Sequence, residues 1–238
     1  LPILLALTLR ELAEATNGEI VKGDPTLVIS GHCDTDSRNI KVGDVFFAKP
    51  GEHDDGHRYL DSIAKLAAVA FVMTPQPELE LNQIKVIDTV QALTDLARYV
   101  LEKKRESGLK VVGITGSNGK TSTKNMLREI LSKVGPTIAP RDSFNNEVGL
   151  PLTVLKLETQ TEYLVLEMGA AGLGSIEKLA SWCKPDIGVQ LKVGLAHAGA
   201  FGGVEQTAVI KAEMMPFIAE AAVLNFDDPV VRDYQPRQ

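Results

Sequence analysis

The stretch 110–134, KVVGITGSNGKTSTKNMLREILSKV, constrains this chain more than any other. Val111, Val112 and Ile114 make a short β-branched apolar run that reads as a buried strand. A turn follows, Thr115-Gly116-Ser117-Asn118-Gly119-Lys120-Thr121, with two glycines, a lysine and a hydroxyl. Beyond it Met126, Leu127, Ile130, Leu131 and Val134 fall on one helical face. Strand, glycine turn, Lys-Thr and helix together build a phosphate cradle. Backbone N–H groups and the helix N-terminus face the anion, the lysine neutralises charge and the hydroxyl ligates Mg²⁺. The general pattern G-x-x-x-x-G-K-[ST] asks for glycine five residues before Gly119, where this chain has Ile114. Glycine turns also join strands to helices with no ligand at all. Here the flanking strand and helix supply the context the motif requires, and a nucleoside triphosphate is the expected ligand.

At 238 residues the chain exceeds the usual size of one domain, so two are expected. A net charge of -6 gives no basic footprint for nucleic acid. No apolar run approaches bilayer-spanning length. The leading LPILLALTL has no basic segment before it and flows into a helical pattern, so it does not read as a signal peptide. Cys33 and Cys183 lie far apart without metal spacing and read as free thiols of a cytoplasmic protein. No membrane insertion is expected, and the chain is expected to be a monomer.

Thr8 is placed to cap a helix through about Ala15, with Leu9 and Leu12 inward. Short strands are expected at 20–21, 27–30, 45–48, 68–73 and 84–87, with a helix over 59–66. A longer amphipathic helix carries Val90, Leu93, Leu96, Ala97, Val100 and Leu101 on one side. This alternation predicts a small α/β domain over residues 1–106, with the boundary at Ser107-Gly108. Residues 107–238 read as a second α/β domain with a mostly parallel sheet. Its further strands fall at 163–166, 187–193 and 222–224, and its helices at 176–181 and 205–218. Its site is expected at the carboxyl ends of the strands.

Several side chains around these elements carry chemistry. Glu167 ends a strand, where a carboxylate reads either as a Mg²⁺ ligand or as a solvated strand end. His197 lies in a loop past the next strand. Lys211 follows an apolar stretch of helix. It is either a snorkelling side chain or an amine made neutral by desolvation or modification. Asn145 and Asn146 open a polar loop, and Asn225 closes the last strand. In the first domain Ser37, Arg38 and His57 combine a hydroxyl, a guanidinium and an imidazole near loops, and arginine suits phosphate.

In this order the residues resemble the Mur ligase family of ATP-dependent amide-bond-forming enzymes. TGSNGKT is similar to that family's own phosphate-loop variant. DSRNIKVGDVFFAKPGEHDDGH, FNNEVGLPLTVL, LEMGAAGLGSI, VGLAHAGAFGG and VLNFDDP resemble the branch that joins D-alanyl-D-alanine to UDP-N-acetylmuramoyl-tripeptide in peptidoglycan precursor synthesis. The resemblance covers nearly the whole chain. It implies an N-terminal UDP-substrate-binding domain and a P-loop-type central ATPase domain. The end of that domain and a C-terminal domain are expected to lie outside the chain.

By position, the resemblance implies that Lys120 contacts ATP phosphates, with backbone N–H groups from Ser117, Asn118, Gly119, Thr121 and Ser122 around them. Thr121 and Glu167 would hold one Mg²⁺ and His197 a second, and Lys211 aligns with a lysine that the family carbamylates. Ser37, Arg38 and His57 would face the UDP end of the UDP-muramoyl-peptide. Asn145 and Asn146 would face its muramoyl portion, and Asn225 the adenine. Lys192 stands where the family usually has Asn, and its charge is expected to help depress the Lys211 amine. Ala171 replaces a residue that is commonly polar, and Ala212 a glycine. A sister ligase adding a different amino acid, or a non-catalytic UDP-sugar and nucleotide-binding fragment, would share much of this pattern.

Overall fold

The structure, a computed structural model, describes residues 6–51, 54–140, 143–194 and 203–234. The chain divides into two compact units. The N-terminal unit is Leu1–Lys103 with Val154–Thr159, and the C-terminal unit is Lys104–Thr153 with Gln160–Gln238. Among the described residues no helix is long and apolar enough to cross a membrane.

The N-terminal unit begins with β1 (Leu7–Thr8) and α1 (Leu9–Ala15). Thr8 and Glu11 form a reciprocal capping box, which satisfies backbone donors at that helix end. A five-stranded sheet follows, built from β2 (Glu19–Lys22), β4 (Cys33–Asp34), β5 (Val45–Phe47), β6 (Val69–Val72) and β7 (Gln83–Lys85), while β3 (Val28–Ile29) pairs with β1. Its order is β2-β7-β6-β5-β4, with only β2 antiparallel to its neighbour. Every residue of β5 and β6 is buried, as expected for strands covered on both faces. Phe46, Ala48, Ala70 and Val72 share one cluster with Leu60 and Ile63 of α2 (Leu60–Ile63). Phe47 and Phe71 stack at 4.4 Å between ring centroids. The long helix α3 (Thr89–Arg105) buries Leu93, Leu96, Ala97, Val100 and Leu101, the face its sequence predicts.

The C-terminal unit is an all-parallel sheet of β8 (Lys110–Thr115), β9 (Thr137–Ile138), β10 (Tyr163–Glu167), β11 (Ile187–Gln190) and β12 (Ala221–Leu224). Its order, β12-β11-β8-β10-β9, puts β8 in the centre, and the strand neighbours change side there. Ligands of open parallel sheets bind at such a switch point, outside the carboxyl ends of the strands. Helices α4 (Lys120–Leu131), α5 (Gly149–Val154) and α6 (Ser175–Cys183) and the Val204–Ala212 helix complete the described unit.

Three expectations need correction. The apolar face assigned to α4 is not wholly inward. Leu127 and Leu131 pack on the core of Val112, Ile114 and Val165, whereas Met126, Ile130 and Val134 are 59%, 59% and 69% exposed. Met126, Leu127, Ile130 and Leu131 span an arc too wide for one flat sheet contact and Val134 lies past the end of α4, so the stripe through Lys124, Leu127 and Leu131 faces the sheet instead. The helix expected over 205–218 ends at Ala212, and a short 3-10 turn, Met215–Phe217, contains Pro216, which cannot supply an α-helical N–H. Residues 149–154, read as an apolar run after a loop, are helical. Asn146 caps that helix, its side-chain oxygen accepting the Val148 and Gly149 N–H groups at 3.2 and 2.8 Å.

Candidate functional site

The phosphate loop grows directly out of β8. Gly119 is the N-cap of α4 at φ 87°, a left-handed conformation suited to glycine, and among the described residues no side chain caps the helix. The N–H groups of its first turn, Lys120, Thr121 and Ser122, are thus left for an anion. Ser117 and Asn118 complete the turn. The Ser117 N–H donates to the Lys192 carbonyl at 2.7 Å, and its Oγ accepts the Gly194 N–H at 3.0 Å. The loop is therefore fastened to the segment that follows β11.

Lys120 Nζ donates to the Gly116 carbonyl of its own loop at 2.9 Å. Burial lowers the pKa of this amine, and the charge of Glu167 opposes the shift. Glu167 pairs with Ile114 in the β10–β8 register, so its carboxylate emerges beside the loop, only 1% exposed. Thr121 Oγ1 donates to its Oε2 and Asn145 Nδ2 to its Oε1, both at 3.0 Å. The structure thus brings together Lys120, Thr121, Glu167 and Asn145. A buried carboxylate beside a hydroxyl offers hard oxygen donors of the kind Mg²⁺ takes, with phosphate and water filling its remaining positions. Among the described residues no group of three or more His, Cys, Asp or Glu could hold a metal ion by itself. His197 lies outside the described residues.

Lys211 is 3% exposed, which removes the snorkelling alternative. Burial drives its amine down to about 8, and the charge of Lys120 adds to the shift while Glu213 opposes it. The neighbouring cation is thus Lys120. Lys192, expected in that role, is exposed and is not among the groups acting on the amine. The Gln190 side-chain amide donates to the Lys211 carbonyl, and its own Oε1 is buried without a partner among the described residues.

Two acidic residues absent from the site expected from the sequence hold this region in place. Glu213 accepts the N–H groups of Gly174, Ile176 and Glu177 at 2.6, 3.0 and 3.1 Å, capping α6, which has no side-chain cap of its own. Glu213→Ala is expected to destabilise the C-terminal unit by about 1 kcal/mol, because three charge-assisted hydrogen bonds at the start of α6, two of them partly buried, are lost. Urea unfolding checks this. Asp228 accepts the Val193 N–H at 3.1 Å and those of Val230 and Val231 at 3.0 Å each. Asn225 sits at the end of β12, its Oδ1 accepting the Asp227 N–H at 3.1 Å.

In the N-terminal unit, Ser37 and Arg38 line an open cleft of about 400 Å³ with Lys49, Asp54 and Tyr59. The Arg38 guanidinium grips Asp36, Nε to Oδ1 at 2.9 Å and the terminal nitrogen to Oδ2 at 2.6 Å. His57 does not line this cleft, and both of its ring nitrogens are engaged. Nε2 accepts the Met73 N–H at 2.8 Å, which leaves Nδ1 to donate to Asp55 at 2.7 Å. Its imidazole therefore fixes the turn that starts at Asp55.

Fold and site define a parallel α/β unit with a glycine loop and a buried carboxylate at its switch point, the class of nucleotide-binding α/β proteins. The Mur ligase middle domain matches residues 114–238, and the chain belongs to the Mur ligase family. It is 37% identical over 255 residues to the UDP-N-acetylmuramoyl-tripeptide–D-alanyl-D-alanine ligase of Mycobacterium leprae, covering 96% of this chain and 49% of that protein. The crystal structure of MurF from Acinetobacter baumannii superposes with a TM-score of 0.88 at 34% identity, covering 98% of this chain and 51% of the other. The MurF ligase from Thermotoga maritima, in complex with ADP, gives 0.74 at 34% identity, covering 85% of this chain and 47% of the other. The chain spans about half the length of the curated relatives it matches.

Proposed function

We propose that this chain carries the UDP-substrate and ATP sites of an ATP-dependent ligase that joins D-alanyl-D-alanine to UDP-N-acetylmuramoyl-tripeptide in peptidoglycan synthesis. It works as a monomer in the cytoplasm. The observation that carries the reading is the phosphate loop with Thr121 and Asn145 both bonded to the buried Glu167. In this reaction the peptide carboxylate attacks the γ-phosphorus of ATP, the bond to the β-phosphate oxygen breaks, and ADP leaves. The amine of D-alanyl-D-alanine then adds to the acyl carbon of the acyl phosphate. Inorganic phosphate departs, the amine loses a proton, and an amide remains.

Lys120 exchanges the Gly116 carbonyl for phosphate oxygens and holds charge on the transferring group, the main catalytic demand of phosphoryl transfer. The N–H groups of the first turn of α4 orient the same phosphates. Mg²⁺, which Thr121 and Glu167 would hold with His197 serving a second ion, supplies charge neutralisation when bound. Asn145 keeps the Glu167 carboxylate aimed at the loop. Lys211, uncharged for a large fraction of the time near pH 8, reacts with CO2 through its neutral amine to give a carbamate anion and a proton. That anion is better suited than an ammonium to a site rich in cations. Ser37 and Arg38 face the UDP moiety while His57 holds their surroundings, Asn146 positions the loop against the muramoyl portion, and Asn225 meets the adenine.

Phosphate release from ATP should depend on both UDP-N-acetylmuramoyl-tripeptide and D-alanyl-D-alanine. Turnover with a single amino acid in place of the dipeptide would point to a sister ligase. Nucleotide binding without turnover under any amine would leave a binding role.

A further inference from the structure

The cleft of the N-terminal unit contains two cations that differ in availability. It opens at the carboxyl ends of β4 and β5, parallel neighbours whose following loops supply Asp36, Ser37 and Arg38 on one side and Lys49 on the other. Arg38 is already occupied. Its planar fork lies on Asp36 in the two-pronged geometry that it would offer a phosphate, and it holds the Asp36 carboxyl down at about 2. A ligand that recruits the Nε edge of Arg38 must displace Asp36, and one that uses its remaining N–H groups still lies beside that carboxylate.

Lys49 pays no such penalty. Among the described residues its ammonium makes no ion pair or side-chain hydrogen bond. Its main chain, however, is fixed on both sides. The Lys49 N–H donates to the Phe47 carbonyl at 2.8 Å, and its carbonyl accepts the Gly56 N–H at 3.0 Å. The approach at Gly56 is too close for any other residue, since a Cβ there would lie 2.8 Å from the Lys49 nitrogen and 2.9 Å from the Ala48 Cα. The adjacent Ala48 carbonyl accepts the buried Thr89 hydroxyl at the start of α3 at 3.1 Å. A free charge thus projects from an anchored strand end, so binding an anion through it breaks no existing ion pair and costs only the ordering of one lysine side chain. Across the cleft Tyr59 donates to Asp54 at 2.5 Å, which leaves the Tyr59 ring as a wall.

We propose that Lys49, rather than Arg38, carries the diphosphate of the uridine nucleotide in this cleft. The proposal rests on the reading of the cleft as the UDP site. The test is calorimetric titration of uridine, UMP and UDP into the chain with its phosphate loop saturated by ADP and Mg²⁺, so that only the first cleft is open. Lys49→Gln is expected to weaken UDP about tenfold, the scale of one charged hydrogen bond, and to leave uridine unchanged. Lys49→Arg should recover most of the loss, and Arg38→Gln should weaken UDP less than Lys49→Gln does. Thermal unfolding curves that superimpose would establish that the variants are folded, as expected for exposed side chains. UDP affinity unchanged in Lys49→Gln but lost in Arg38→Gln overturns the inference and leaves the UDP reading standing. Failure of UDP to bind the unaltered chain overturns both.

Discussion

Lys120→Ala is expected to lower the affinity of the C-terminal unit for ATP and ADP by about a hundredfold while leaving the unit folded. The magnitude follows from losing a charge-assisted bond to phosphate in a partly desolvated site, roughly 3 kcal/mol. The fold survives because among the described residues Lys120 makes one bond, to the Gly116 carbonyl of its own loop, and burial already disfavours its charged form. Removing the amine therefore takes away little that stabilises the apo state. Calorimetric titration of ADP with Mg²⁺, run beside a thermal melt, separates the two effects. Unchanged affinity in a folded variant would remove the phosphate-loop assignment.

The second large effect concerns Lys211. Its amine titrates at about 8 in the folded chain against 10.5 for an ordinary lysine, chiefly through burial. Between those values the unfolded chain binds more protons than the folded one, so stability rises with pH across that window. Below pH 8 the full penalty of burying the ammonium is present, roughly 3 kcal/mol at about 1.4 kcal/mol per pH unit. Lys211→Met, in buffers stripped of CO2, is therefore expected to be more stable than the parent by about that amount at pH 7. The gap should close as the pH approaches 10. Urea unfolding at a series of pH values measures it, and a gap that is constant with pH would show that the folded amine is not depressed. Restoring bicarbonate near pH 8 should then stabilise the parent alone, if the carbamate forms.

What the sequence determined by itself was what depends on neighbours a few residues apart. The Thr8 cap, the inward face of α3, the buried run of β8 and the turn from Gly116 to Thr121 are all set by near neighbours, and all could be read from spacing. Glu167 was legible as a strand-end carboxylate, but the choice between a solvated and a buried one was not. That was decided by Thr121 and Asn145, which lie 46 and 22 residues away. Similarly, only the folded chain shows that the ring of His57 is spent on the Met73 N–H, and that Glu213 caps a helix 39 residues before it. Which stripe of α4 faces inward, and whether Lys211 reaches solvent, depended on the sheet and helices packed around them. Local propensity and periodicity act through backbone geometry, which a short sequence carries in full. Burial, the partner of a charge and the state of a proton depend on what the rest of the chain brings within a few ångströms, and only tertiary packing fixes that.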